Sequence, residues 1–133
     1  MNARILLVED DAINLELLDF LVSAAGYDTI LARDGLEGVE MARRERPDLI
    51  VMDILMPRMD GYEAAREMRK DAALLETPII AVTDLAMAGD REKIQQAGFD
   101  GYISKPIQIK QFIEKIAAYL SHQPGLDSNG NPP

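Results

Sequence analysis

The sequence predicts a doubly wound α/β fold, in which a five-stranded parallel sheet is covered on both faces by five helices. Three observations carry this. Short apolar runs of strand length alternate with segments of helical period along the chain. The apolar runs are continuous rather than alternating with polar residues, as in strands buried on both faces. Carboxylates, a hydroxyl and a lysine follow these runs instead of interrupting them, which gathers them at the carboxyl edge of one sheet.

Arg4–Val8 (RILLV) is the first strand. Asp11–Ala25 has helical spacing and stops at Gly26, a helix-ending residue. Asp28–Ala32 is a weaker second strand, and Leu36–Glu45 is a second helix that ends before Pro47. Leu49–Met52 is the third strand. A strand interior disfavours a carboxylate, so Asp53 is expected where this strand stops, exposed at its carboxyl end. Gly61–Lys70 forms the third helix, and Pro78 opens the strand Ile79–Val82. Arg91–Ala97 is the fourth helix, ended by Gly98; Gly101–Ser104 is a short fifth strand and Ile109–Leu120 the last helix. From Ser121 the chain reads SHQPGLDSNGNPP, poor in apolar residues and rich in turn formers. This predicts a domain over residues 1–120 and a disordered tail over 121–133. His122, the single histidine, lies in that tail with no partner to orient it and reads as a surface residue.

Composition narrows the function. A chain of 133 residues, 47% of them hydrophobic, is one domain with a proper core. No apolar run approaches membrane-spanning length, and Met1–Val8 lacks the features of a signal peptide, so the expected location is cytoplasmic, with no membrane partner. The lack of cysteine excludes disulfides, thiolate catalysis and Cys-based metal sites. A net charge of −9 argues against nucleic acid as a partner, because phosphates would be repelled. Arg43, Arg44 and Arg46, interrupted by Glu45, read as a solvated helix end.

Glu9, Asp10 and Asp11 follow the first strand, Asp53 the third, Thr83 and Asp84 the fourth, and Ser104, Lys105 and Pro106 the fifth. The second strand contributes only Arg33 and Asp34. Carboxylates brought this close raise one another's pKa, and a divalent cation relieves the repulsion. Hard oxygen donors without Cys or His suit Mg²⁺, which keeps several waters and takes one or two carboxylates plus a phosphate. Protonated Lys105 suits an anion, and a phosphoryl oxygen is the natural one; Thr83 can donate a hydrogen bond to the same group.

Glu9-Asp10, Asp53 followed by Met56-Pro57 and Asp60-Gly61, Thr83, and Lys105-Pro106 together resemble the receiver domain of two-component response regulators, over Ala3 to about Leu120. VEDDAIN, AVT followed by AMAGD, and YISKPI are similar to DivK-type single-domain regulators, and hybrid-kinase receivers carry related segments. The resemblance implies a flavodoxin-like sheet of strand order 2-1-3-4-5. It implies that Asp53 is phosphorylated by a histidine kinase or histidine phosphotransfer protein, switching binding of a downstream protein partner. It further implies that Asp10, Asp53 and the Leu55 carbonyl bind Mg²⁺ while Glu9 acts through water, that Lys105 pairs with the phosphoryl group, that Thr83 and Tyr102 form the switch, and that the Lys105-Pro106 bond is cis.

The remaining residues are read as follows. Tyr102 is alternatively a half-buried strand aromatic at the sheet edge. Pro57 and Gly61 shape the loop after Asp53, with Gly61 permitting backbone angles other residues avoid. Met41, Met52, Met56, Met59, Met68 and Met87 read as gap fillers. In the first helix, Asn14, Leu17, Leu18, Leu21 and Ala25 form a core stripe, and Ile13, Phe20 and Ala24 widen the apolar arc beyond what a helix flanking a sheet needs. That surplus either packs on the last helix or, with Pro106, forms a docking face for the phosphodonor's helical bundle. Asp84 departs from the family, which usually carries a small residue after the switch threonine; it either crowds the phosphoryl site or caps the following helix.

Rival readings are a phosphatase with an aspartyl-phosphate intermediate, a receiver-like module that binds without phosphorylation, and a receiver cut from a hybrid kinase. Haloacid dehalogenase-type phosphatases place an aspartate two residues after the nucleophile, where this chain has Leu55. A flavin-binding protein of this architecture would carry a phosphate-binding loop after the first strand, where this chain has three acids.

Overall fold

In a computed structural model, residues 2–84 and 88–121 are described. Their elements run β1 (Arg4–Val8), α1 (Ala12–Ala24), β2 (Asp28–Ala32), α2 (Gly35–Glu45), β3 (Leu49–Asp53), α3 (Gly61–Arg69), a 3₁₀ turn (Ala72–Leu74), β4 (Ile79–Thr83), α4 (Ala88–Gln96), β5 (Gly101–Ser104) and α5 (Ile109–Ser121). The strands form one parallel sheet in the order β2-β1-β3-β4-β5. Alternate residues of the central strands supply two cores. Leu6, Val8, Ile50, Met52 and Ala81 pack with Val39, Ala65, Met68 and Ile94 from α2, α3 and α4. Ile5, Leu7, Val51, Ile80 and Val82 pack with Leu15, Leu18, Val22, Phe112 and Ile116 from α1 and α5. Burial on both faces explains why β3 and β4 read as uninterrupted apolar runs.

Several boundaries move. β3 extends to Asp53 and β4 to Thr83, because both residues continue the parallel ladder: Asp53 is level with Val82 and Thr83 with Ser104. Asp53 is therefore buried, at 7% exposure, rather than exposed as the sequence suggested. The 3₁₀ turn was not expected, and α4 begins at Ala88, three residues before the sequence places it. Ser121 closes α5, while 122–133, with the expected disorder there and His122, lie outside the described residues, as does Met87. Met52, Met56 and Met68 are buried, and Met41 and Met59 pack against the core, as gap fillers do.

The stripe of α1 is corrected. The buried residues are Leu15, Leu18, Leu21 and Val22, whereas Asn14, Leu17 and Ala25 are exposed. Both stripes satisfy helical spacing, and the sheet selects the one whose neighbours Leu15 and Val22 fill its core. Asp11 sets the start of α1, its carboxylate accepting the backbone N–H of Ile13 at 2.9 Å and of Asn14 at 3.0 Å. Gly26 ends the turn after α1 at φ +97°, in the left-handed region. Gly61 is different from its expected role. Its φ is not in that region, and what it needs is the absence of a side chain: a Cβ there would lie 2.6 Å from the Asp53 carbonyl oxygen.

At the foot of the sheet, opposite the acidic edge, Arg69 ties three segments together. Its guanidinium donates to the carbonyls of Gly98 at 2.9 Å, Leu74 at 2.7 Å and Thr77 at 2.8 Å, and pairs with Asp100 at 2.8 Å. The same Asp100 oxygen accepts the Ile79 N–H at 2.9 Å, fixing the entry to β4. Arg69→Met should lower stability by about 2–3 kcal/mol, because these acceptors lose a charged donor together. Lys70→Ala, which removes only the exposed pair with Glu67, should change it by less than about 0.5 kcal/mol. Urea unfolding of both variants checks the contrast.

Candidate functional site

The strand register brings the chemistry-bearing residues to one mouth. Glu9 leaves β1 buried at 2% exposure, its N–H donating to Ala32 O at 3.1 Å across the sheet, and exposed Asp10 follows. Asp53 ends β3, with Oδ1 accepting the Leu55 N–H at 3.3 Å and Oδ2 facing the Lys105 ammonium at 3.3 Å. One carboxylate oxygen from each of Glu9, Asp10 and Asp53 lies within 4.8 Å of the others. Lys105 reaches this point from β5 because its N–H donates to Thr83 O at 2.9 Å, and its peptide bond to Pro106 is cis. Thr83 is buried at the end of β4, at 1% exposure. The loop after Asp53 doubles back tightly, Gly61 N–H donating to Ile54 O at 2.8 Å, which the bare Cα of Gly61 permits.

The electrostatics follow from crowding. Burial pushes the Glu9 carboxyl up to about 8, helped by a hydrogen bond to Asp53 and by its negative charge, and opposed by Asn14 and Lys105. Burial alone would lower the Lys105 ammonium, but the charges of Asp53 and Glu9, the hydrogen bond to Asp53 and the charge of Asp84 raise it above its ordinary value. A buried acid holding a proton beside a buried carboxylate is a set of hard oxygen donors short of positive charge. That chemistry fits a divalent cation. Asn14, read from the sequence as a core residue, is instead exposed and lines a cleft together with Glu9. A polar side chain in an otherwise apolar stripe was the signal.

The other predicted residues stand around this mouth. Leu55 lies in the first turn after Asp53 with its side chain exposed. Tyr102 is half-buried on β5, flanked by Arg91 and Lys115, whose charged groups are 5.6 and 5.5 Å from the ring centroid. It is not part of the carboxylate cluster. Asp84 is exposed, and the cap read for it from the sequence falls on residues 85–87, which lie outside the described residues. On α1, Ile13, Leu17 and Phe20 are 78%, 51% and 70% exposed, so the last helix does not cover them. Pro106 is exposed too. Between this face and the β5–α5 loop lies a cleft of about 330 Å³ lined by Leu17, Leu21, Pro106, Ile107 and Ile109. No described helix is long and apolar enough to cross a membrane.

Comparison with known proteins agrees with this geometry. The response regulator receiver domain family matches residues 5–117. The polar-differentiation response regulators DivK of Brucella anthropi and Brucella ovis are 47% and 46% identical over 120 residues, 90% of this chain and 98% of theirs. The receiver domain of the sensor histidine kinase PA1611 of Pseudomonas aeruginosa, solved with magnesium coordinated in its active-site cleft, is 36% identical. It has a TM-score of 0.85, covering 91% of this chain and 99% of that one. The chemotaxis protein CheY4 of Vibrio cholerae is 25% identical at a TM-score of 0.86, covering 90% and 99%. Five parallel strands in this order, a carboxylate cluster beside a lysine at their carboxyl ends, and these relatives give one conclusion: the chain belongs to the response regulator receiver domain family.

Proposed function

We propose that Asp53 accepts a phosphoryl group from a phosphohistidine of a histidine kinase or histidine phosphotransfer protein, and that its phosphorylation changes which downstream protein the domain binds. The observation that carries this reading is the buried Asp53 carboxylate, with Lys105 3.3 Å from one oxygen and two further acids beside it. In the transfer, an Asp53 oxygen forms a bond to phosphorus as the donor's P–N bond breaks, and the electron pair of that bond stays on the imidazole nitrogen. Lys105 offsets charge on the transferring oxygens, and Thr83 donates to one of them. Glu9, Asp10, Asp53 and the Leu55 carbonyl would hold Mg²⁺, which supplies further charge neutralisation when bound.

The switch follows from the same charges. New acceptor oxygens on Asp53 draw Thr83 inward, and Tyr102 turns into the space it leaves. Tyr102 must then leave the flanking cations Arg91 and Lys115, contacts worth roughly 0.5–1 kcal/mol each. Ile13, Phe20 and Pro106, with Leu17 between them, form an exposed apolar face on which the donor's helices dock. The chain works as a cytoplasmic signalling phosphoacceptor that assists its own phosphorylation and dephosphorylation, rather than as an enzyme acting on a separate substrate.

Incubation with Mg²⁺ and acetyl phosphate should add one phosphoryl mass to the wild type and none to Asp53→Asn; an adduct persisting in the variant would place the acceptor elsewhere. Intact mass spectrometry reads both.

Glu9 sets a pH dependence. Its folded pKa of about 8 lies above the ordinary 4.5, so the stability associated with it is full below 4.5 and is lost as pH rises towards 8, where the buried carboxyl must ionise. Glu9→Gln should flatten that slope in cation-free urea unfolding. Mg²⁺ displaces the proton, so it should stabilise the wild type more at about pH 8 than at about pH 5.

Asp84 adds a negative charge at the mouth. For a carboxylate ~7 Å from the phosphorus at an effective dielectric of ~40–80, repulsion slows addition roughly three- to eight-fold. Asp84→Ala should therefore phosphorylate faster at low salt, with the difference shrinking as salt rises. Unchanged rates at every salt concentration would remove Asp84 from the mechanism.

A further inference from the structure

The contact between α3 and α4 holds a polar group that the site chemistry does not use. Tyr62, in the first turn of α3, packs its ring against the core, and its hydroxyl is buried without a hydrogen-bond partner among the described residues. An unsatisfied buried hydroxyl is costly enough to call for an explanation. The Lys93 ammonium of α4 lies 5.8 Å from the Tyr62 ring centroid, so this face of α4 stands over the first turn of α3. Asp90, three residues before Lys93 and therefore on the same face, is half-buried. Asp60, the other nearby acid, already caps α3 by accepting the Glu63 N–H at 2.9 Å. That leaves Asp90 as the acceptor suited to Tyr62.

α4 is lightly attached. Among its residues with described side chains, Ile94 is the one fully buried. Its far end is pinned, since Gly98 and Asp100 beyond it are held by Arg69. Residues 84–87 join its near end to Thr83. Thr83 is thus only five residues along the chain from Ala88 and the first turn of α4, where Asp90 sits.

We propose that Tyr62 and Asp90 are the two halves of a latch between α3 and α4, which stands open in this structure and closes, hydroxyl to carboxylate, when phosphorylation of Asp53 draws Thr83 inward. The trigger rests on the phosphoacceptor reading above; the placement of the two halves does not. The closed latch holds the first turn of α4 in its shifted position and so prolongs the phosphorylated state. Burial, then the negative charges of Asp90 and Asp60, hold the Tyr62 phenol above its ordinary pKa, in keeping with that placement.

Two measurements on the full chain test it. In the first, tyrosine absorbance is titrated with pH in the unphosphorylated protein, and subtraction of Tyr62→Phe isolates Tyr62. Asp90→Asn should lower the pKa of that phenol; no change would show that Asp90 does not face it and would overturn the latch. In the second, protein phosphorylated with Mg²⁺ and acetyl phosphate is freed of donor, and the adduct is followed by intact mass. Tyr62→Phe and Asp90→Asn should each shorten the lifetime roughly five-fold, with the double variant no worse than either single one. Tyr62→Phe should leave the melting temperature of unphosphorylated protein unchanged or raised, because its hydroxyl has no partner there. Effects that multiply in the double variant, or a melting temperature lowered by Tyr62→Phe before phosphorylation, would overturn the proposal. Absence of any adduct on wild type would instead overturn the phosphoacceptor reading, and the trigger with it.

Discussion

The arrangement depends on keeping a carboxylate, Asp53, almost wholly buried at the end of a strand covered on both faces. Such a group persists only if it is paired and hydrogen-bonded. Lys105 supplies the charge and the Leu55 N–H a hydrogen bond. Lys105 can reach it only because β5 lies beside β4 in register, with its backbone bonded to Thr83. Gly61 can let the chain turn back only because it has no Cβ to strike the Asp53 carbonyl. The sheet order, the loop glycine and the position of the lysine all serve one ion pair.

That pair is incomplete as a solution to crowding, and the incompleteness is useful. One ammonium stands beside three acids, and burial, then the neighbouring Asp53, hold the Glu9 carboxyl well above the ordinary range for a carboxyl. A site that resolved its charges internally would have nothing to offer a cation or a phosphoryl group. Here the surplus negative charge at rest suits a divalent cation, and Lys105 with Thr83 suits the anionic group that would arrive after it.

The two ends of the sheet divide the work. At the foot, Arg69 gathers the carbonyls of the 3₁₀ turn, the approach to β4 and the loop after α4 around one guanidinium, which leaves that end little freedom. At the mouth, Ile94 is the one fully buried residue of α4 among those with described side chains, and four residues join the helix to β4. A helix pinned at one end and lightly held at the other is suited to pivoting. The unpartnered Tyr62 hydroxyl lies beside the free end.

Legible in the sequence were the fold class, the five strands to within a residue, and the gathering of Glu9, Asp10, Asp53 and Lys105 at one edge of the sheet. Apolar runs buried on both faces are unmistakable, and polar residues directly after them have nowhere else to go in a parallel sheet. Strand ends were less legible, because Asp53 and Thr83 look like loop residues until the ladder beside them is known. The buried face of α1 was not legible at all. Leu15, Leu18 and Val22 compete with Leu17 and Phe20 at equally good helical spacing, and only the shape of the sheet decides which set is covered. The structure alone likewise decided that the Glu9 carboxyl is buried against Asp53, which holds its pKa up, and that Tyr62 faces α4. Both depend on distances between segments far apart in the chain, and local pattern carries no information about those distances.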